Sequence, residues 1–347
     1  MAQLDKYFGA LVDAGGSDLH LSAGRAPAMR THGEIAPMDG ERALTDAKLR
    51  EMMREIVSDS RWQIFEQTHD IDFAYRLEGI GRFRANYFVQ AGGAGAVFRI
   101  VPETVIPIEK LGLPPAVSKL ADLESGLVLV TGPTGSGKST TLAAVIDRVN
   151  TKYSRHIVTI EDPVEFVHQN KRSVLSQREV GANTVSFAAA LKSATRQDVD
   201  VVLVGEMRDL ETIELALNAA AMGILVFGTL HTSGAAKTVD RVIDVFPAED
   251  QAQARNMLSD SLAAVVSQVL LRRADDGGRV AAHEILLRTS ALGGVIREGN
   301  TAMLASIIAG GKRMGMQTMD AALAELVQKR IVTREAATIH ASPNARL

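Results

Sequence analysis

The stretch "GLVLVTGPTGSGKSTTLAAVIDRV", residues 126 to 149, restricts the possible folds more than any other part of the chain. Leu127 to Val130 form an apolar run without polar alternation, which reads as a strand buried on both faces, and the residues after Lys138 suit a helix. Such a strand needs helices above and below it, so a parallel, helix-covered sheet is expected. Between strand and helix, Gly132, Pro133, Thr134, Gly135, Ser136, Gly137, Lys138 and Ser139, continued by Thr140, satisfy the pattern G-x-x-x-x-G-K-[ST]. The glycines let consecutive backbone N–H groups turn toward phosphate oxygens at the positive end of the following helix. Lys138 is placed to reach the β- and γ-phosphates of ATP, and Ser139 to ligate Mg²⁺. A plain glycine turn would need neither residue there.

The same alternation of apolar strands and helices continues through "HIVTIED", "SFAAALKSATR", "DVVLVGEM", "DLETIELALNAAAMG" and "ILVFGTLH". An α/β nucleotide-binding domain over residues 116–347 is therefore expected. Beyond about residue 250 it is expected to be mostly helical, with "EDQAQARNMLSDSLAAVVSQVLL" as its longest helix. Residues 1–100 mix elements differently: Leu4, Tyr7, Phe8 and Leu11 fall at helical spacing, while "SDLHLS" and "DIDFAYRLEG" alternate as strands do. Thr45 is the expected N-cap of a helix placing Leu49, Met52, Met53 and Ile56 on one face. "AGGAGA" reads as a glycine turn joining two paired strands rather than as a phosphate loop. This is an α+β domain. Pro102, Pro107, Pro114 and Pro115 recur across residues 101–115, which read as a stiff linker between the two domains.

Composition removes several alternatives. The chain has 347 residues, more than one ordinary core accommodates, and a formal net charge of −3, which argues against a generic nucleic-acid binder. It has no cysteine, so thiolate metal sites, disulfides and cysteine nucleophiles are excluded. The N-terminus lacks the pattern of a secretory signal, and the most apolar run, "LALNAAAMGILVFGTL", is too short and glycine-broken to span a bilayer. A cytoplasmic location without direct membrane insertion is expected.

Hydrolysis needs more than a cradle: a carboxylate must orient water, and positive charge must meet the transition state. "TIEDPVEF" places Glu161, Asp162 and Glu165 at a strand end, and "VVLVGEMRD" places Glu206 at another, where an open parallel sheet presents its ligand crevice. Glu206 is expected to hold magnesium through water, leaving Glu165 or Glu161 to polarise the attacking water. Asp209 and Glu211 suit a helix cap instead. His231, after a third apolar strand, reads equally well as a γ-phosphate contact and as a satisfied polar residue. Arg82, Arg84 and Arg99 lie on strands of the first domain. They read as a solvated strand face, or, for Arg84 and Arg99, as cations that complete a nucleotide site.

Taken together, "GPTGSGKSTT", "TIEDPVEFVH", "SQREVG", "RQDVDVVLVGEMRDLETI", "FGTLHTSGAAKTVDRVIDVFP" and "VIREGN…GMQTMDAAL" resemble the secretion ATPase superfamily, and within it the PilT-type branch that retracts type IV pili. The resemblance runs from "SDLHLS" to "MQTMD". It implies a PAS-like N-terminal domain, a RecA-like ATPase domain and a ring of six identical subunits in which arginines of one subunit complete the site of the next. By this resemblance Arg84 and Arg99 match those arginines, Glu165 the catalytic glutamate, Glu206 the Walker B glutamate and His231 the His box. Arg178 and Arg196 also fall in shared motifs. The implied partners are a platform protein of the inner membrane and a paralogous pilus ATPase, with the ring held at that membrane through the pilus machinery. One departure stands out: Ile224 follows Gly223 where the family commonly has histidine. The competing readings are a pilus or type II secretion assembly ATPase, an accessory retraction ATPase, and a nucleotide-gated binding module that does not hydrolyse. Assembly ATPases often carry a longer N-terminal region and a four-cysteine zinc module, and this chain has neither.

Overall fold

The computed structural model describes residues 2–31, 33–101, 104–275, 277–343 and 345–347. The chain divides into two compact units, Met1–Thr104 and Val105–Leu347. Of the expected linker, Pro102 and Glu103 lie outside the described residues.

The first unit runs α1 (Asp5–Asp13), β1 (Asp18–Ser22), β2 (Ala28–Thr31), β3 (Glu34–Pro37), α2 (Asp46–Arg54), α3 (Asp59–Thr68), β4 (Asp70–Leu77), β5 (Gly81–Gln90) and β6 (Gly93–Val101). Its six strands form an antiparallel sheet in the order β3-β2-β1-β6-β5-β4. Because side chains alternate along a strand, Leu19, Phe73, Phe83, Ala85, Tyr87 and Phe98 share one face and pack with Phe8, Leu49, Met53 and Phe65 from the helices. The opposite face carries Asp18, Arg84 and Arg99. "AGGAGA" supplies only Ala91 and Gly92 to the β5–β6 turn; the rest opens β6. The Thr45 hydroxyl does cap α2, but the stretch is two helices rather than one, since Ser58 caps α3 in the same way.

The second unit runs α4 (Pro115–Ser118), β7 (Gly126–Thr131), α5 (Lys138–Lys152), β8 (His156–Glu161), β9 (Val174–Glu179), α6 (Phe187–Ala194), β10 (Val201–Val204), α7 (Leu210–Ala221), β11 (Leu225–Leu230), α8 (Ala235–Asp244), α9 (Gln251–Ser261), β12 (Leu262–Arg272), β13 (Arg279–Leu287), α10 (Ser290–Arg297), α11 (Leu304–Gly310), α12 (Met319–Gln328) and α13 (Arg334–Thr338). The seven strands follow the order β13-β12-β7-β11-β10-β8-β9, parallel throughout except for β13 on the edge. Alternation again builds the cores. Leu127 and Leu129 of β7 join Val202, Val204 and Val226 beneath α6, α7, α8 and α9. Val128 and Val130 join Val201, Leu203 and Phe227 beneath α4 and α5. Both faces of β7 are buried along its whole length, as its composition requires.

The expected long helix after residue 250 is corrected here: it ends at Ser261, and "LAAVVSQVLLR" is strand β12, paired with β7 on one side and β13 on the other. Val265, Val266 and Val269 favour the strand, and an all-apolar run buried on both faces has no period that separates it from a buried helix. The C-terminal region is thus a β-hairpin followed by helices. Among the described residues no helix is long and apolar enough to cross a membrane.

Candidate active site

The phosphate-type loop occupies the C-terminal end of β7. Gly132, Gly135 and Gly137 have φ of +144°, +79° and +87°, in the region that side chains strain to enter. A Cβ at Gly132 would also meet the Gln268 carbonyl oxygen at 2.2 Å, so the loop could not close with a larger residue there. Lys138, buried at the first turn of α5, donates from Nζ to the carbonyls of Gly132 at 2.8 Å and Pro133 at 3.2 Å. Within the same loop the buried Ser136 hydroxyl has no hydrogen-bond partner among the described residues. A glycine-shaped loop at a helix N-terminus, with a buried lysine and an orphaned hydroxyl, fits a polyphosphate and is hard to explain as a mere turn.

Two carboxylates act on Lys138. Burial lowers the Lys138 ammonium below the ordinary lysine range, and the charges of Glu206 and Glu165 oppose that shift. Glu206 follows β10 and sits 2.5 Å from Arg208 Nε and 3.1 Å from His231 Nε2. Burial pushes the Glu206 carboxyl up, but the hydrogen bond from Arg208, with the charges of Arg208, His231 and Lys138, outweighs it and holds the group below the usual carboxylate range. His231 itself follows β11, so β7, β10 and β11 deliver Lys138, Glu206 and His231 to the C-terminal ends of three neighbouring central strands.

The two glutamates after "HIVTI" differ. Glu161, the last residue of β8, accepts from the Thr159 hydroxyl at 2.7 Å, the Glu165 backbone N–H at 3.2 Å and Gln177 Nε2 at 3.4 Å. Burial raises its carboxyl above the ordinary range, against those hydrogen bonds and together with the charge of Glu165. Glu165 is exposed on the loop that Glu161 braces. The two glutamates differ in their surroundings: among the described residues no hydrogen bond or ion pair holds the Glu165 carboxylate, whereas the oxygens of Glu161 are engaged by the protein. Ser139 and Thr140 lie in the first turn of α5, half-buried beside Lys138, and Pro133 and Thr134 are exposed on the loop. Ser139 and Glu206 offer the hard oxygen donors that magnesium prefers.

Arg178, on edge strand β9, donates to the carbonyls of Ala190 at 3.5 Å and Asn183 at 3.4 Å. Arg196 follows α6 and is exposed; the carbonyl of the next residue, Gln197, meets His156 at the start of β8, the N-terminal end of the parallel strands, whereas Lys138 follows the C-terminal end of β7. In the first unit Arg84 and Arg99 face each other across β5 and β6. Arg99 pairs with Asp18 at 2.7 Å and Arg84 lies 3.9 Å from Asp72. Asp209 caps α7 through the Thr212 N–H at 2.8 Å, as its sequence position suggested. Sequence reasoning passed over Arg208 and Gln268. The first stands two residues from Glu206; the second was hidden by the helical reading of its segment.

Comparison with known proteins places the chain. A sequence family described as "Type II/IV secretion system protein" matches residues 43–292. The type IV pilus retraction ATPase PilT of Pseudomonas aeruginosa is 51% identical over 321 residues, covering 92% of this chain and 93% of that protein. A "twitching motility protein" of Neisseria gonorrhoeae is 50% identical over 311 residues, covering 90% and 83%. A crystal structure of the pilus retraction motor PilT with bound ADP superimposes with a TM-score of 0.92 at 43% identity, covering 100% of this chain and 99% of that one. The chain therefore belongs to the Type II/IV secretion system protein family and carries its mixed α/β fold, an N-terminal domain followed by an ATPase domain.

Proposed function

We propose that this protein is an ATPase that drives retraction of type IV pili, with magnesium as its metal. The observation that carries the reading is the convergence of Lys138, Glu206 and His231, from three strands, on the mouth of the glycine loop, in a chain so similar to PilT along its length. Gly132 to Gly137 would wrap the phosphates, Lys138 would exchange its carbonyl partners for β- and γ-oxygens, and Ser139 with Glu206 would hold magnesium, Glu206 partly through water. Bound magnesium supplies charge that neutralises the phosphates. Glu165 polarises the attacking water, Glu161 holds the Glu165 loop in place, and His231 senses the terminal phosphate while its ring rests on Glu206.

The finer parts of the reading rest on the resemblance. They are a PAS-like domain over residues 1–100, a linker over 101–115, a RecA-like domain over 116–347, and a homo-hexamer in which Arg84 and Arg99 of one subunit complete the site of its neighbour. The ring would work in the cytoplasm on a platform protein of the inner membrane, alone or beside a paralogous pilus ATPase, with no nucleic acid involved. Exposure of both arginines on one sheet face is consistent with this role.

The test is ATP turnover with and without magnesium in the intact protein and in Glu206→Gln. Loss of at least about a hundredfold is expected, since transition-state charge stabilisation of this kind is worth that much. Unchanged turnover refutes the site. A deletion strain should carry excess pili that do not retract; bald cells would identify an assembly ATPase instead.

A further inference from the structure

Strand β12 adjoins β7 in parallel, with Ser267 level with Thr131. The next residue, Gln268, is therefore level with the start of the glycine loop. It is 2% exposed, and both ends of its amide are used. Nε2 donates to the Ser136 carbonyl at 2.5 Å and Oε1 accepts from the Thr141 hydroxyl at 2.8 Å. The amide orientation is fixed by chemistry, because a carbonyl can only accept. Main chain and side chain both crowd the loop: a Cβ at Gly132 would strike the Gln268 carbonyl oxygen, and one at Gly137 would lie 2.9 Å from Nε2. A glutamine amide carries a donor and an acceptor on one planar group at the length these two contacts need, and asparagine is a methylene too short.

The adjacent residue serves a different segment. Ser267 points to the opposite face, where its hydroxyl accepts from Gly234 N–H at 2.8 Å. Its cross-strand partner Glu284 accepts from Ala235 N–H at 2.8 Å. Gly234 and Ala235 open α8, three residues after His231.

We infer that Gln268 is a positioning residue of the phosphate site: its amide fixes the glycine loop in its cradling shape, and through Ser267 of β12 and Glu284 of β13 the same hairpin holds the His231 segment in step with it. This rests on the nucleotide reading above. Where the amide is lost, the loop spends less time in the competent shape, and apparent affinity falls by that fraction.

The test is titration of the full-length protein with a fluorescent ADP, alongside steady-state ATP turnover. Gln268→Met keeps length and volume without hydrogen bonds. It should bind ADP about tenfold more weakly and raise KM by a similar factor, with kcat within about threefold, because bound nucleotide restores the loop. Gln268→Glu keeps the acceptor for Thr141 but faces the Ser136 carbonyl without a donor, and should bind more weakly still. A folded Gln268→Met protein with affinity within twofold of the parent overturns the inference, because a purely structural role lowers the melting temperature and leaves affinity alone. Should both variants fail to fold, Thr141→Val removes a single bond, and about threefold weaker binding is expected; unchanged binding overturns the inference equally. Lys138→Ala in the same titration tests the nucleotide reading separately: if it binds as tightly as the parent, that reading fails.

Discussion

Acidification should unlock the second unit through one buried ring. His283 lies on β13 opposite Gln268, is 2% exposed, and has no hydrogen-bond partner for Nε2 among the described residues. Burial lowers its pKa from the ordinary 6.5 to about 4, and burial is the sole cause. The unfolded chain therefore takes up this proton near pH 6.5, while the folded protein resists it until near pH 4. Between those values the unfolded state binds more protons, so stability is intact above pH 6.5 and falls as pH falls. Integrating between pH 7.5 and 5.0 gives a loss of about 2 kcal/mol from this group alone. At roughly 2–4 °C per kcal/mol for a body of this size, the melting temperature drops by about 4–8 °C. Calorimetry or far-UV circular dichroism should follow it, because the single tryptophan, Trp62, reports on the first unit. His20 and His168 are also lowered by burial, so the parent alone would mix several slopes. His283→Leu, similar in volume and lacking the unpaired nitrogen, isolates the contribution: its drop between pH 7.5 and 5.0 should be smaller than the parent's by those 4–8 °C. Equal drops in the two proteins would refute the assignment.

Three further outcomes follow from the geometry. Gly132→Ala must move backbone, since its Cβ would lie 2.2 Å from the Gln268 carbonyl oxygen, whereas Gly135→Ala has open space and only its φ of +79° to pay for; the first should cost about 3 kcal/mol and abolish ADP-dependent stabilisation, the second about 1 kcal/mol, both read by thermal melting. Ile224→His restores the residue common in the family, yet position 224 enters β11 at the end away from His231, about 20 Å along the strand. ATP turnover should stay within twofold, and a tenfold change would show that this end of the strand does report on the phosphate. If, as proposed, Arg84 completes the site of a neighbouring subunit, mixing Arg84→Ala subunits with Lys138→Ala subunits should recover part of the ATPase activity, because some interfaces then hold two intact halves; no recovery under demonstrated co-assembly removes Arg84 from that role.

How much the sequence disclosed depended on how local each signal was. β7 and its loop were legible because a strand buried on both faces and a glycine pattern are written in consecutive residues. Thr45 and Asp209 were legible as caps for the same reason. β12 was not: "LAAVVSQVLL" is apolar at both periods, and what makes it a strand is pairing with β7, far away in sequence. The functional role of Gln268 was lost with it, since its contact to Ser136 spans 132 residues. β9, with "SQRE" on a sheet edge, is too polar to announce itself as a strand.

Strand order also bears on the roles proposed for the two glutamates that spacing alone left tied. From β7 the sheet runs through β11 and β10 to β8. At about 4.8 Å per strand, β10 lies roughly 10 Å from the P-loop strand and β8 roughly 14 Å. A glutamate side chain spans about 4–5 Å. Glu206, on the turn after β10, can meet a lysine reaching toward it, and its charge does act on Lys138. Glu161 is fixed in the last pair of β8 with β9, and its oxygens are held by Thr159, Gln177 and the Glu165 N–H. Glu165 departs from the same strand but stands on a loop, and its charge does reach Lys138. A strand three places from a central site contributes to it more readily through a loop that folds back than through its own side chains. The Glu161 carboxylate, holding the Glu165 backbone N–H, anchors such a loop at its base.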